Sequence, residues 1–410
     1  MKVAFFLLHY PVFSETFVSK EILNLQKLNV DGQIFCEKIN HQPPFHPHLK
    51  QIKFPVFQIT TKIIGPDLLK IIVSHLYYIF HQPFAYLKSI FLLFSFFNYH
   101  HLRVFIKAPL LAKELTKNNI DLIYVHEVDS PSLFALICSQ LCHLPCGIII
   151  HTQYLFAQNK YLAQKIKNAS FIIFQSQYSL NESKKITKLS KKYFSNCHVL
   201  STPGIDTKFF QPPLIQKYPH QIKIVSIGRL EEAKGYPILL KAIKKLHSHY
   251  PDIQLTIIGN GSQKNSLEKY LHQNKLQKNV HLLGSIPHSP HLIKLLHQHQ
   301  YFILPSILDS QKNHDVHPNV VQEAMSTGLI SITSNLGGIT EIIKDSQNAF
   351  LIKKVNPTNI AQIIIKIHSL SKSQKQKISL SAHNTILKEH HQKYICSQLK
   401  KIFISHLNEK

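Results

Sequence analysis

Short apolar runs alternate with stretches of helical periodicity along most of the chain. Lys2 to His9 reads as a buried strand, and Ser14 to Leu28 places apolar residues at helical spacing, giving a strand-loop-helix opening. Further strands are predicted at Gln33 to Cys36, Leu122 to His126, Gly147 to His151, Phe171 to Gln175 and His198 to Ser201, each bounded by helical segments. Such alternation is expected of a parallel sheet with crossover helices, so the first half is predicted to be doubly wound α/β.

The stretch STPGIDTKFFQPPLIQKYPHQ follows neither period and is rich in proline, which marks a domain boundary. Alternation restarts at Ile222 to Ile227 and continues through Ile253 to Ile258, Val280 to Leu283, Tyr301 to Leu304, Ile330 to Thr333 and Phe350 to Ile352, a second α/β unit without sequence repetition of the first. From Ser371 onward the pattern is helical. The predicted division is residues 1–203, residues 204–385 and a closing helical segment, 386–410. One region departs from the alternation: Leu68 to Lys107 is aromatic and aliphatic, interrupted by His, Lys and Arg, and reads as a helical hairpin inserted near residues 66–118. Two readings of it stay open. Its apolar face enters lipid headgroups while Lys70, Lys88, Arg103 and Lys107 meet anionic lipid, or its helices simply pack against the sheet.

The chain has 410 residues, enough for two or three domains at roughly 150 residues each. Hydrophobic residues make up 44% and charged residues 17%, which argues against disorder. A formal net charge of +25 points to anionic partners: phosphorylated substrates, an acidic membrane surface or nucleic acid. No aromatic RNA-binding signature or helix-turn-helix pattern accompanies the lysines, so nucleic acid is the weaker reading and none is expected as a partner. Six cysteines are too few for a disulfide framework, the N-terminal segment lacks the pattern of a signal peptide, and no apolar run approaches the ~20 residues of a bilayer span. These features place the chain in a reducing cytoplasm. Cys138, Cys142 and Cys146 recur at four-residue intervals, but Pro145 breaks the helix before the third and no fourth ligand is evident, so no metal is expected.

Two stretches carry chemistry. In IVSIGRLEEAKGYPILLKAIKKL a strand ends at Gly228, Arg229 and Lys234 follow, and a helix begins near Gly235. Strand ends facing helix starts are where α/β sheets bind ligands; glycine admits close backbone approach, and two cations suit a diphosphate. In LPSILDSQKNHDVHPNVVQEAMSTGLISITSNLGGITEII, Asp315 and Glu323 stand eight residues apart around a helix predicted to start at Pro318, which suits the first helical position. Asp315 then lies in the loop and Glu323 in the second turn, so both can face one cleft, where a carboxylate can accept hydroxyl hydrogen bonds from a ribose or sugar ring.

Together these stretches resemble the retaining glycosyltransferases of family 4. GRLEEAKGYPILLKA is followed by an acid-x7-Glu segment inside HPNVVQEAMSTGLISITSNLGGITEII; IIGNGSQKNSLEKYL and VLSTPGIDTKFF also fit. The opening YPVFSETFVSKEIL, and the nine-residue step from Ser306 to Asp315, are similar to the subgroup that builds exopolysaccharide and colanic-acid-type chains. The resemblance covers nearly the whole chain. It implies a GT-B fold, two Rossmann-like doubly wound domains facing a central cleft, with C-terminal helices of which the last crosses back to the N-terminal domain. The implied activity is metal-independent transfer of a sugar, with retention, from a nucleotide-diphosphate sugar to a growing, lipid-linked glycan at the cytoplasmic face of the membrane. No cofactor is implied beyond the donor substrate itself.

The resemblance also implies site residues. Arg229 and Lys234, beside Gly228, match the basic pair for the donor diphosphate, and Glu323 matches the glutamate for the donor ribose. Asp315 sits where the family has a glutamate touching the transferred sugar. Pro318, Asn319 and Val320 form the donor-binding helix start, Gly337 and Gly338 match a later glycine turn, and His151 matches a histidine near the transferred sugar. Ser14, Glu15 and Thr16 match a loop lining the cleft. Catalysis would fall to Asp315, His151, Arg229 and Lys234. Three positions depart from the family: Asp315 is one methylene shorter than the usual glutamate, Val316-His317-Pro318 replaces a Gly-Phe-Pro-like tripeptide, and Tyr154 stands where an aspartate is often found. They motivate a rival reading, a non-catalytic relative that binds sugar nucleotide or glycan as an assembly subunit.

Overall fold

The structure is a computed structural model describing residues 1–408 apart from 14, 42–45, 60–64, 97, 127–128, 152–160, 215–217, 311–313 and 316. Ser14, Tyr154 and Val316 therefore lie outside the described residues. The chain folds as two compact units, Met1–Pro203 with Ile395–Lys410, and Gly204–Tyr394.

The first unit runs β1 (Lys2–Tyr10), α1 (Thr16–Lys27), β2 (Asp31–Ile39), β3 (Val56–Gln58), α2 (Gly65–His81), α3 (Pro83–Ser95), α4 (Tyr99–Lys117), β4 (Leu122–His126), α5 (Asp129–Cys142), β5 (Cys146–Ile150), α6 (Leu162–Asn168), β6 (Phe171–Phe174), α7 (Gln177–Thr187) and β7 (Cys197–Val199). Its strands form one parallel sheet in the order β3-β2-β1-β4-β5-β6-β7. In β1, Ala4 and Phe6 join the core on one face while Val3, Phe5 and Leu7 join the core on the other. A sheet covered on both faces needs apolar side chains at successive positions, which is why β1 reads as a continuous apolar run.

The second unit contains β8 (Lys223–Ile227), α8 (Tyr236–His247), β9 (Gln254–Ile258), α9 (Lys264–Gln273), β10 (Val280–Leu282), α10 (Pro290–His297), β11 (Tyr301–Leu304), α11 (Asn319–Ser326), β12 (Ile330–Ser334), β13 (Phe350–Ile352), α12 (Pro357–His368) and α13 (Lys372–Glu389). Its parallel sheet has the order β10-β9-β8-β11-β12-β13. Tyr301 and Ile303 face one core, Phe302 and Leu304 the other. Strand order reverses between β8 and β11, and the crevice at the C-terminal ends of such a pair is where doubly wound sheets take ligands. Both units are thus Rossmann-like.

The edge strand β3 escapes the apolar pattern because it is three residues long and all three are exposed, with only Phe57 stacking on the core at Phe35 (5.3 Å). The predicted hairpin is in fact three helices. Pro83 opens α3, and its ring forces Gln82 out of the helical region (φ −141°), so the chain turns there. The closing segment also differs: α13 starts at Lys372 behind a Ser371/Gln374 capping box, and in α14 (Gln392–Asn408) the chain returns to the first unit at Ile395, not 386. There Ile395, Cys396, Leu399 and Phe403 pack with Val3, Phe5, Tyr124 and Phe171.

The α2–α4 insertion supports both readings of its sequence. Its inner face, with Tyr78, Leu92, Phe96, Val104 and Ala108, belongs to the core shared with α5. Its outer face exposes Leu69 (71%), Phe80 (76%), Phe84 (81%), Phe91 and Phe94. Lys70, Lys88 and Arg103 are exposed, whereas Lys107 is buried and bonded to Asp67 at 3.0 Å. No helix among the described residues is long and apolar enough to cross a membrane.

Candidate functional site

In the second unit, β8 ends at Ile227 and the chain passes through Gly228 and the exposed Arg229 into a 3-10 turn, Glu232–Lys234. Gly235 follows with φ +69°, and a Cβ there would lie 2.1 Å from the Pro305 carbonyl oxygen. Only glycine allows this approach, which seats the start of α8 against the end of β11. The Ile307 amide donates to Ala233 O at 2.9 Å and fastens the two loops together.

This junction brings Lys234 and Asp315 into contact across 81 residues of sequence. Lys234 Nζ donates to both carboxylate oxygens of Asp315 at 2.6 Å, and Ser306 Oγ donates to Oδ2 at 2.7 Å. Burial favours the neutral acid, but Lys234, Ser306 and the nearby Arg229 charge outweigh it and hold the Asp315 carboxyl below its ordinary range. The two side chains keep 12% and 21% exposure, so a ligand can reach them from solvent. Lys234 and Asp315, assigned from the sequence to different parts of a donor, are here partners of each other.

Pro318 is the N-cap of α11, with extended backbone (φ −70°, ψ 107°), so the helix begins one residue later than predicted, at Asn319. Pro318, Asn319 and Val320 are half-buried, and unbonded amides of a first helical turn can meet an anion. Glu323 is buried inside α11 and lies 3.6 Å from His288 Nε2, on the loop after β10. The His288 ring is flanked by Phe209 and Phe210 at centroid distances of 6.1 and 5.3 Å. His317 is buried and pushed down to about 3 by burial and by His390, so it stays neutral. Gly337 and Gly338 open a buried 3-10 turn.

The other candidates lie in the first unit. Glu15 is the N-cap of α1 and Thr16 its first residue, both half-buried. His151 follows β5, is 5% exposed, and packs 4.8 Å from the Phe17 ring. Burial, then the neighbouring His126, push its imidazolium down to about 3 against a hydrogen bond that its ring donates to Gln175. The Cys138 and Cys142 thiols donate to carbonyls of α4, Ala108 O and Ala112 O, and no group of metal-ligating side chains occurs among the described residues.

Several residues of these sites escape sequence reasoning. His288 follows no motif, and Ser306 figures only as a spacing landmark. Glu21 and His126, which contact each other at the sheet edge of the first unit, sit at positions that read as core. The available signal for Glu21 is a carboxylate at a core-facing position of an amphipathic helix.

The second unit, doubly wound with a cation-carboxylate cluster at its switch point, is a Rossmann-like domain suited to an anionic ligand, and two Rossmann-like parallel-sheet units in one chain are the GT-B architecture. Residues 208–382 match the family model "Glycosyl transferases group 1", so that stretch is a group 1 glycosyl transferase domain. The GPI3 subunit of phosphatidylinositol N-acetylglucosaminyltransferase from Saccharomyces cerevisiae is 23% identical over 372 residues, spanning 84% of this chain and 77% of its own. An Escherichia coli enzyme, UDP-Gal:alpha-D-GlcNAc-diphosphoundecaprenol alpha-1,3-galactosyltransferase, is 26% identical over 297 residues, 65% of this chain and 73% of its own. The crystal structure of Anabaena Alr3699/HepE in complex with UDP shares the fold at a TM-score of 0.73 and 18% identity, over 99% of this chain and all of that one.

Proposed function

We propose that this chain is a retaining, metal-independent hexosyltransferase that moves a sugar from a nucleotide-diphosphate sugar to a growing, lipid-linked polysaccharide. The observation that carries the reading is the Lys234–Asp315–Ser306 cluster, with Arg229 beside it, at the C-terminal ends of β8 and β11 in a group 1 domain. When the glycosidic bond to the donor breaks, negative charge develops on the leaving diphosphate. Arg229, Lys234 and the start of α11 stabilise that charge where it appears. Glu323 accepts hydrogen bonds from the ribose and Asp315 faces the transferred sugar; in the first unit, His151 is assigned to the sugar by its match to the family's histidine. The relatives support the acceptor class: one is named for phosphatidylinositol, the other for a sugar on diphosphoundecaprenol. The exposed apolar and basic face of α2–α4 supports peripheral docking on the acidic cytoplasmic face of the membrane, with no role for nucleic acid.

A panel of nucleotide sugars in a thermal-shift assay tests the donor class, since a ligand of the native state raises the melting temperature. NMR of the product's anomeric proton then tests retention. One observation favours a second reading, a binder without turnover: Lys234 already has a carboxylate partner on both oxygens. Nucleotide-sugar consumption separates the two, because a binder protects the donor and an enzyme consumes it.

A further inference from the structure

A chain of polar groups runs through the interior of the first unit at the C-terminal edge of its sheet. Glu21 of α1 is fully buried; one carboxylate oxygen accepts the Thr202 hydroxyl, and the other lies 3.1 Å from His126 Nε2. His126 ends β4 at 4% exposure, and its Nδ1 is 3.1 Å from His151 Nε2, the rings nearly parallel at 5.3 Å. Gln175 follows β6, hydrogen-bonds His151, and donates to Thr202 O at 3.2 Å, which returns the chain to its start. Tyr124 of β4 and Cys396 of α14 also face the Glu21 carboxylate. Four strand ends and one helix thus bring one ring of polar groups together inside an apolar core, with the Glu21–His126 link a 3.1 Å contact that is not aligned as a hydrogen bond.

The chemistry of that circuit is constrained. Glu21 Oε1 and His126 Nε2 are not aligned for a hydrogen bond, but a carboxylate oxygen 3.1 Å away repels a lone pair, so the contact favours a proton on that His126 nitrogen. Its other nitrogen, Nδ1, then either donates to His151 Nε2 or accepts from it. In the first case the proton of neutral His151 is on Nδ1; in the second it is on Nε2. The Glu21 carboxyl group bears on the choice because it sits 3.1 Å from the His126 ring, at the nitrogen opposite the one whose partner is at issue.

We infer that Glu21 and His126 are positioning residues that fix which ring nitrogen of His151 carries its proton. The consequence for sugar transfer rests on the reading above, in which His151 faces the transferred sugar. Glu21 is too deeply buried to touch a ligand and acts only through His126. A histidine presented in one tautomer offers a hydroxyl group either a donor or an acceptor, never an average of both.

The test uses the full chain with 15N-labelled histidine, His151 being assigned by its loss in His151→Gln. The parent is expected to show His151 as one dominant neutral tautomer, and Glu21→Gln and His126→Asn to shift its ring resonances toward a mixture. UDP release from UDP-glucose, or from whichever nucleotide sugar raises the melting temperature, is followed in parallel. Turnover should fall on the order of tenfold to a hundredfold in both variants, the loss expected from misplacing a group near reacting atoms, while donor KM stays within about threefold. Unchanged His151 resonances in both variants overturn the inference. So does a shifted tautomer with unchanged turnover. If the parent releases no UDP from any donor, the transferase reading fails, yet the ring resonances still decide whether Glu21 and His126 control His151. Should Glu21→Gln not fold, Thr202→Val removes a hydrogen bond from the same carboxylate and is read in the same way.

Discussion

At the C-terminal ends of the second sheet, Lys234 and Asp315 keep 12% and 21% of their side chains exposed and Arg229 is open to solvent. At the same ends of the first sheet, Glu21, His126 and His151 are all buried. An exposed arginine and a partly exposed lysine in a glycine-built crevice can exchange water or a carboxylate for a phosphate. Groups shut away from water cannot take up solvent partners in place of one another, which favours a single arrangement of their protons. The same strand-helix framework thus provides a site suited to capture an anion in one unit and a site suited to fix a tautomer in the other.

The sharpest way to break the comparison is to remove the exposed cations. Arg229→Ala and Lys234→Ala should each lower sugar transfer about a hundredfold to a thousandfold, equivalent to ~2.7–4 kcal/mol of transition-state stabilisation, with circular dichroism unchanged. Turnover within twofold of the parent for both would remove the donor diphosphate from this crevice.

Next in size are the two acids, separated by calorimetry with UDP. Glu323→Ala should weaken UDP roughly tenfold, since it removes a hydrogen-bond acceptor from a ribose present in every nucleotide. Asp315→Ala should leave UDP binding unchanged or tighter, because it releases Lys234 from its 2.6 Å partner, while turnover falls. Equal weakening of UDP by both variants would show that the acids do not divide the donor between them.

A smaller effect belongs to the α2–α4 face. Lys88→Glu should weaken sedimentation with anionic vesicles several-fold, at about 1 kcal/mol per basic residue near the surface, and added salt should weaken the parent in the same direction. Phe84→Ser on the same face should weaken binding to neutral and anionic vesicles alike. Parent binding that ignores lipid charge would leave only the apolar part of the contact.

Most of the framework was legible because parallel strands buried on both faces write continuous apolar runs, as in Val3 to Leu7 and Tyr301 to Leu304. Strand β3 was not, because three exposed residues at an edge are too few to write a pattern. Pro83 signals the turn at Gln82, but apolar residues continue across it and mask the break between two helices. In the second unit the cationic residues were legible as a loop motif, but their partners were not: that Lys234 meets Asp315 depends on Gly235 touching Pro305, a contact between distant loops. Glu21 and His126 were the least legible, since each looks like an isolated polar residue in an apolar run until α1 and β4 are packed together.

The smallest effect is thermodynamic and isolates the exposed cluster from its chemistry. Lys234, Ser306 and Arg229 hold the Asp315 carboxyl below its ordinary value despite burial, so the folded state binds that proton less readily than the unfolded chain does. The resulting stability is complete above the unfolded carboxylate pKa of about 3.9 and is lost as pH falls below it through the lower, folded value. Asp315→Asn cannot titrate, and at pH 7 it leaves Lys234 without its countercharge, so the variant should melt below the parent there. As pH is taken from 5 toward about 2 the gap should hold until roughly 3.9, where the unfolded chain takes up the proton, and then narrow as pH falls toward the lower value at which folded Asp315 protonates, each kcal/mol of difference being worth about 2–4 °C for a unit of this size. A gap that stays constant across that range would mean Asp315 titrates alike in folded and unfolded chains, and the Lys234 contact would then be an ion pair too weakly held to organise the crevice.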